Sequence, residues 1–99
     1  MKSIAINNKE FYALVKEGYT VVDVRTQGED TITGLYFNSA INIPYPKVIN
    51  SASKTFPDKN SKLIFICNYG QRSSLTAKEY QKMGYSNVFV LSSGLYNLK

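Results

Sequence analysis

Three runs in this chain, YTVVDV (residues 19–24), KLIFIC (62–67) and NVFVL (87–91), are apolar almost throughout and rich in β-branched or aromatic residues. A strand with one solvated face alternates apolar and polar side chains. A strand without that alternation is covered on both faces, the usual condition of a parallel sheet under helices. The segments between the runs carry helix signals. Asn7 or Asn8 offers an N-cap, Glu10 lies in the first turn where the macrodipole favours an anion, and Phe11, Leu14 and Val15 share one face before Gly18. Later, Ser73 or Ser74 caps a predicted helix that reaches about Met83, with Ala77, Tyr80 and Met83 on one side and Gly84 beyond its end.

Shorter elements fill the rest. SIAI (3–6) and AINI (40–43, closed by Pro44) read as strands, with Pro46 in the first turn of a short helix through about Ser51. Residues 26–39 read mainly as loop, 55–62 as a turn region, and 92–99 as the start of a final helix. Strands and helices alternate from end to end, so the fold expected is α/β, with about five mostly parallel strands flanked by helices.

The 99 residues suit one domain spanning 1–99, with no repeat or linker. Apolar residues make up 43% and charged residues 19%, a globular balance. No run approaches a secretory core or a membrane span, and the lone cysteine fits a reducing compartment, so a cytoplasmic protein with no membrane partner is expected. The chain has no histidine, which excludes Cys-His and Ser-His catalytic pairs and the usual structural zinc sites. No metal and no cofactor is implied. The net charge of +5 comes from lysines scattered along the chain, and only 54–62 is locally basic. That pattern speaks for solubility and mild anion steering, and against a nucleic-acid partner.

The chemistry concentrates in FICNYGQRSS (65–74). Cys67 ends the most apolar strand, and in open α/β sheets ligands bind beyond the carboxyl ends of strands. The loop from Asn68 to Arg72 then leads into a helix, which brings free backbone N–H groups near the sulfur. Those donors stabilise a thiolate or another anion there, Arg72 adds a permanent positive charge, and Gly70 supplies the positive φ that an amide cradle requires. A persulfide, or a thiolate attacking an anionic donor, suits such a site, and an ionised thiol needs no general base. A lone cysteine ending an apolar strand is otherwise an inert small hydrophobe; the neighbouring Gly, Arg and Ser reverse that reading.

On these residues the chain resembles the rhodanese-like domains, a sulfurtransferase family. VVDVR followed by Glu29, SAINIP (39–44), CNYGQRSS (67–74) and MGYSNVFVLSSG (83–94) match its motifs in order, over about Val21 to Gly94. The resemblance implies that Cys67 accepts a sulfane sulfur from a small anionic donor such as thiosulfate and passes it to a thiol or a small protein acceptor. It implies that Asn68, Tyr69, Gly70, Gln71, Arg72 and Ser73 form the loop that cradles the persulfide. Cysteine phosphatases of related fold carry Cys-x-x-x-x-x-Arg; this chain has Cys-x-x-x-x-Arg, a shorter loop suited to a sulfur atom. The chain departs from the pattern at Tyr36, where histidine is common, at Ser39, where glycine is common, and at Leu98, a tryptophan position.

Around the loop, several roles stay open. Asp23 and Arg25 share a strand face. They either shape the pocket floor or, as the favoured reading has it, Arg25 pairs with Glu29 and tethers the following loop. Arg72 binds a donor sulfonate or bonds to neighbouring groups. Ser73 bonds to the sulfur, caps the helix, or does both. Tyr69 lines the entrance. A non-catalytic binding or persulfide-sensing module, and more remotely a phosphatase or arsenate reductase, are the rival functions.

Overall fold

The expected alternation is realised in the structure, a computed structural model that describes residues 4–98. Strand β1 is Ala5–Ile6, helix α1 Asn8–Lys16, strand β2 Thr20–Asp23, helix α2 Glu29–Thr33 and strand β3 Ile41–Asn42. Helices α3 (Lys47–Asn50) and α4 (Ala52–Thr55) precede strand β4 (Leu63–Ile66), helix α5 (Gln71–Lys82) and strand β5 (Val88–Leu91), and a 3-10 turn spans Leu95–Asn97. All four strand pairings are parallel, in the order β1-β5-β4-β2-β3. Among the described residues no helix is long and apolar enough to cross a membrane.

Strand period two sorts the core into two layers. Val22, Val24, Leu63, Phe65, Cys67, Val88 and Val90 meet Tyr80 and Ala77 of α5 and Val48 and Ala52 of α3 and α4 on one face. Val21, Ile64, Ile66, Phe89 and Leu91 meet Phe11 of α1 on the other. Cys67 has the parity of Leu63 and Phe65, so its side chain is on the α5 side. A slip of one residue would turn the thiol to the opposite face. The three inner strands bury both faces, whereas the two edge strands are only two residues long, which limits unpaired sheet edge.

Tyr80 locks α5 down. Its ring packs edge-on against Phe65 at 4.7 Å between centroids, and its hydroxyl donates to the Val48 carbonyl at 2.7 Å. Burial pushes that hydroxyl above the ordinary tyrosine value. Tyr85 ties the next turn, its hydroxyl donating to the carbonyls of Ala52 and Phe56.

Several boundaries differ from the expectation. Ser3, the first residue of the expected strand 3–6, lies outside the described residues. The 26–39 segment contains α2, bounded by Gly28 and Gly34, both in the left-handed region. Strand 40–43 reduces to Ile41–Asn42, a register set by its pairing with Val22 and Asp23. Helix α4, ending at Thr55, was not anticipated from the polar ASKT sequence. Ser73 and Ser74 do not cap α5: the helix begins at Gln71 behind Gly70, whose φ of 91° sets the turn, and no side chain caps that end.

Tyr80→Phe removes one buried donor and strands the Val48 carbonyl. It is expected to lower unfolding free energy by about 1–2 kcal/mol with an unchanged denaturant m-value. Unaltered stability would show that the contact contributes nothing.

Candidate active site

Strands β2 and β4 are neighbours, yet their connections leave in opposite directions: β2 goes through α2 to β3, and β4 through α5 to β5. Their carboxyl ends therefore open into the crevice where open α/β sheets bind ligands. Arg25 to Glu29 enters it from β2, and Cys67 to Ser73 from β4.

Cys67 is 2% exposed. The Gly70 N–H donates to its Sγ at 3.1 Å, and the Ser73 hydroxyl lies 3.3 Å away. Ser73 is itself fully buried, one turn into α5. The first amides of α5 have no acceptor in the preceding turn, and the helix dipole places partial positive charge beside the sulfur. The Gly70 N–H is thus a donor to Sγ, and the Ser73 hydroxyl can donate to it once the thiol is ionised. Of the two roles open for Ser73, the structure realises the bond to sulfur.

The loop is pressed against the β5 turn. The Leu95 N–H donates to the Cys67 carbonyl at 2.9 Å and the Tyr96 N–H to the Asn68 carbonyl at 3.2 Å. Gly94 has φ 74° and passes so close that a Cβ there would stand 2.1 Å from the Asn68 oxygen. Gly70 meets Ser92 in the same way, at 2.6 Å. The turn SSG was legible in the sequence as part of a motif; its role as a lid on the cysteine loop was not.

The favoured pairing of Arg25 with Glu29 is corrected. Arg25, 1% exposed, is held by Asp23: Nη2 to Oδ2 is 2.7 Å, and Nε donates to Oδ1 at 3.0 Å. The hydrogen bond to Asp23 raises the guanidinium above its ordinary value. Its Nη1 then donates to Asn68 Oδ1 at 3.0 Å, reaching across from β2 to the residue after the cysteine. Glu29 instead takes Arg72 in a two-point pair, with Nη1 to Oε2 at 2.8 Å and Nη2 to Oε1 at 2.9 Å. Thr26 donates to the same carboxylate through its N–H at 2.6 Å and through its hydroxyl, and Asn68 Nδ2 donates at 3.2 Å. Arg72, bonding above all, holds the Glu29 carboxyl down at about 2. Sequence spacing favoured the near residue, Arg25; tertiary proximity chose the guanidinium 43 positions away.

The remaining candidates divide. Gln71 is exposed at the start of α5, and Tyr69 is 62% exposed and stacked on Tyr96 at 4.5 Å with the rings nearly parallel. Tyr36 and Asp23 border a separate cavity of about 350 Å³ with Asp30, Asn38 and Asn42, and none of its lining residues belongs to the cysteine loop. Ser39 lines an adjoining surface cleft with Tyr36, Phe37 and Asn38, and Leu98 packs against the α1 layer of the core.

The family model of the rhodanese-like domain matches residues 7–99, and the chain belongs to that family. Rhodanese-like domain-containing protein 9, a chloroplastic protein of Arabidopsis thaliana, is 28% identical over 127 residues, covering 95% of this chain and 54% of that protein, so the chain spans about half its length. The human single-domain sulfurtransferase TSTD1 shares the fold with a TM-score of 0.77 at 18% identity, over 94% of this chain and 92% of that one. An Escherichia coli rhodanese with anions is 29% identical with a TM-score of 0.64, over 80% and 89% of the two chains. These matches agree with the family assignment and the fold.

Two outcomes follow. Gly94→Ala forces an L-residue into positive φ and against the Asn68 carbonyl; thermal unfolding should register a loss above about 2 kcal/mol. A loss below about 0.5 kcal/mol would show the turn free to shift. The Glu29 carboxyl is lowered from 4.5 to about 2, so its contribution is complete above about pH 4.5 and is lost as pH falls toward 2. Glu29→Gln should cost about 2 kcal/mol at neutral pH, a figure reduced for the partial exposure of both partners, and should flatten the acid limb of the stability curve. An acid limb identical to wild type would remove Glu29 as its cause.

Proposed function

We propose that this protein is a sulfurtransferase that carries sulfane sulfur as a persulfide on Cys67. A thiolate at Cys67 attacks the outer sulfur of a donor R–S. With thiosulfate, the S–S bond breaks and its electron pair leaves on sulfite, giving Cys67–S–S⁻. An acceptor thiolate then attacks the outer sulfur, forms R′–S–S⁻ and returns Cys67–S⁻. Charge and electrons balance in both halves, and no external oxidant enters. The single observation that carries this reading is the donor set on Sγ: the Gly70 N–H at 3.1 Å, the Ser73 hydroxyl at 3.3 Å and the uncapped start of α5. Fixed donors that meet developing negative charge stabilise it without reorganisation. The lone thiol must cycle between turnovers, which suits a reducing compartment such as the cytoplasm.

One observation favours a second reading. Cys67 exposes 2% of its surface, as an inert or slowly modified cysteine would. A non-catalytic module that senses persulfide through Cys67 would be modified once and would not turn over with thiol acceptors.

Incubation with sulfane donors, thiosulfate among them, should add the mass of one sulfur atom to the intact protein, and Cys67→Ala should abolish the gain. Added thiol should remove it and permit repeated cycles. No gain with any sulfane donor would end the sulfurtransferase reading, and a gain that no thiol discharges would leave the sensing module.

A further inference from the structure

The thiol loop is bordered by apolar side chains that the core does not use. Arg72 and Glu29 join α5 to α2. Three positions on from each, on the neighbouring turn of its helix, stand Leu75 and Ile32, 52% and 85% exposed. In the loop itself and in the turn that covers it, Tyr69 and Tyr96 stack at 4.5 Å, both largely open to solvent. Scattered exposed apolar residues are ordinary, but four gathered about one loop from four segments are not. Side chains this open cannot enclose a small thiol, which is held in a concave pocket. They present a face to a macromolecule.

The charges around this face select the macromolecule. Lys78 follows Leu75 by three more positions on α5, and Lys9 lines a cleft with Ser92 and Ser93. The start of α1 is tied to the turn that carries Tyr96: Asn8 Nδ2 donates to the Asn97 carbonyl, and the Ser93 hydroxyl donates to Asn8 Oδ1, both at 2.8 Å. Neither lysine enters an ion pair among the described residues. The neighbouring carboxylates are engaged or turned elsewhere: Glu29 holds Arg72, Glu79 holds Lys82, Glu10 closes the α1 capping box, and Asp30 lines the separate cavity. An apolar centre with a charged edge is the anatomy of a protein interface. A second copy of this chain, net charge +5, would set lysine against lysine. Nucleic acid would gain nothing from Ile32 and Leu75, which offer no ring for a base to stack on. An acidic protein complements both the centre and the edge. The four side chains expose on the order of a few hundred Å², below the roughly 800 Å² per side of a stable complex, so the encounter is transient, as repeated transfer requires.

Resting on the sulfurtransferase reading, we infer that Ile32, Tyr69, Leu75 and Tyr96 form the docking face for an acidic protein acceptor, whose thiol takes sulfur from Cys67 in preference to small thiols. Cys67 is 2% exposed, so the acceptor thiol is carried on a protruding segment edged by apolar and acidic side chains. The step is Cys67–S–S⁻ plus R′–S⁻ giving Cys67–S⁻ and R′–S–S⁻. One S–S bond forms and one breaks, the electron pair returns to Sγ of Cys67, and no oxidant or reductant enters.

The test loads Cys67 from thiosulfate or glutathione persulfide, removes the excess donor, and follows discharge by quenched intact-mass analysis. The probes are a soluble peptide whose single cysteine is flanked by leucines and aspartates, the same peptide with lysines for aspartates, and 2-mercaptoethanol. Rates are expressed per thiolate. On wild type the acidic peptide should discharge sulfur at least about tenfold faster than either other probe. Its lead over the lysine peptide should shrink as salt is raised. The double variant Ile32→Ser, Leu75→Ser should slow the acidic peptide by about fivefold or more and leave 2-mercaptoethanol within about twofold. The wild-type comparison of peptides stands even where the variant folds poorly. A lysine peptide as fast as the acidic one, an unchanged acidic-peptide rate in the double variant, or an equal loss for 2-mercaptoethanol in a folded variant would each overturn the inference. Competition against the acidic peptide by a single-stranded oligonucleotide would overturn it too. Absence of loading from either donor, or a load that no thiol removes, would instead remove the sulfurtransferase reading on which it rests.

Discussion

Parallel pairing of β2 with β4 is the constraint from which the site follows. The register sets Val22 beside Phe65 and Asp23 beside Ile66, so both chains leave the sheet at the same level. Their continuations are then forced into contact: Arg25 meets Asn68, and Glu29 meets Arg72. Because the outgoing crossovers diverge at this boundary, no helix lies across it, and polar side chains from the two loops can bond to one another instead. Each bond between the loops is charge-assisted or shared with a charged group, the stronger class of hydrogen bond.

The thiol occupies that junction for a local reason. Period two along β4 sends Leu63, Phe65 and Cys67 to the α5 layer, and the turn through Gly70 starts α5 directly after the cysteine. Sulfur, amide and Ser73 hydroxyl are therefore brought together by three consecutive features of one segment. The Ser92–Tyr96 turn from β5 adds the roof, and its two hydrogen bonds to the carbonyls of Cys67 and Asn68 take those acceptors away from the sulfur. Carbonyls that would otherwise repel an anion are satisfied on the outer side, while the Gly70 N–H faces the sulfur.

Two ion pairs of opposite sequence character support the loop. Asp23 and Arg25 are two residues apart and buried together, so the guanidinium is paired where it is buried and keeps Nη1 for Asn68. Glu29 and Arg72 are distant in sequence and partly exposed, and they join α2 to α5. A buried guanidinium without Asp23 would carry a large desolvation cost, so the first pair is a condition for burying Arg25 at all. The second pair is a clasp between elements.

Much of this was readable without coordinates. The apolar runs determined the inner strands, because only a sheet covered on both sides accommodates them. The end of KLIFIC, followed by Gly70, Arg72 and serines, marked the chemical loop, because strand end, turn and helix start are all local signals. What the tertiary structure alone decided were the partners. Local spacing favoured Glu29 for Arg25, but strand register delivered Glu29 to Arg72 and left Arg25 with Asp23 and Asn68. The helix start moved to Gln71 because Gly70 turns the backbone under Ser92, a contact between residues 22 positions apart. Hydrophobic pattern and turn chemistry act over a few residues, whereas ion-pair choice depends on which chain ends the sheet brings side by side.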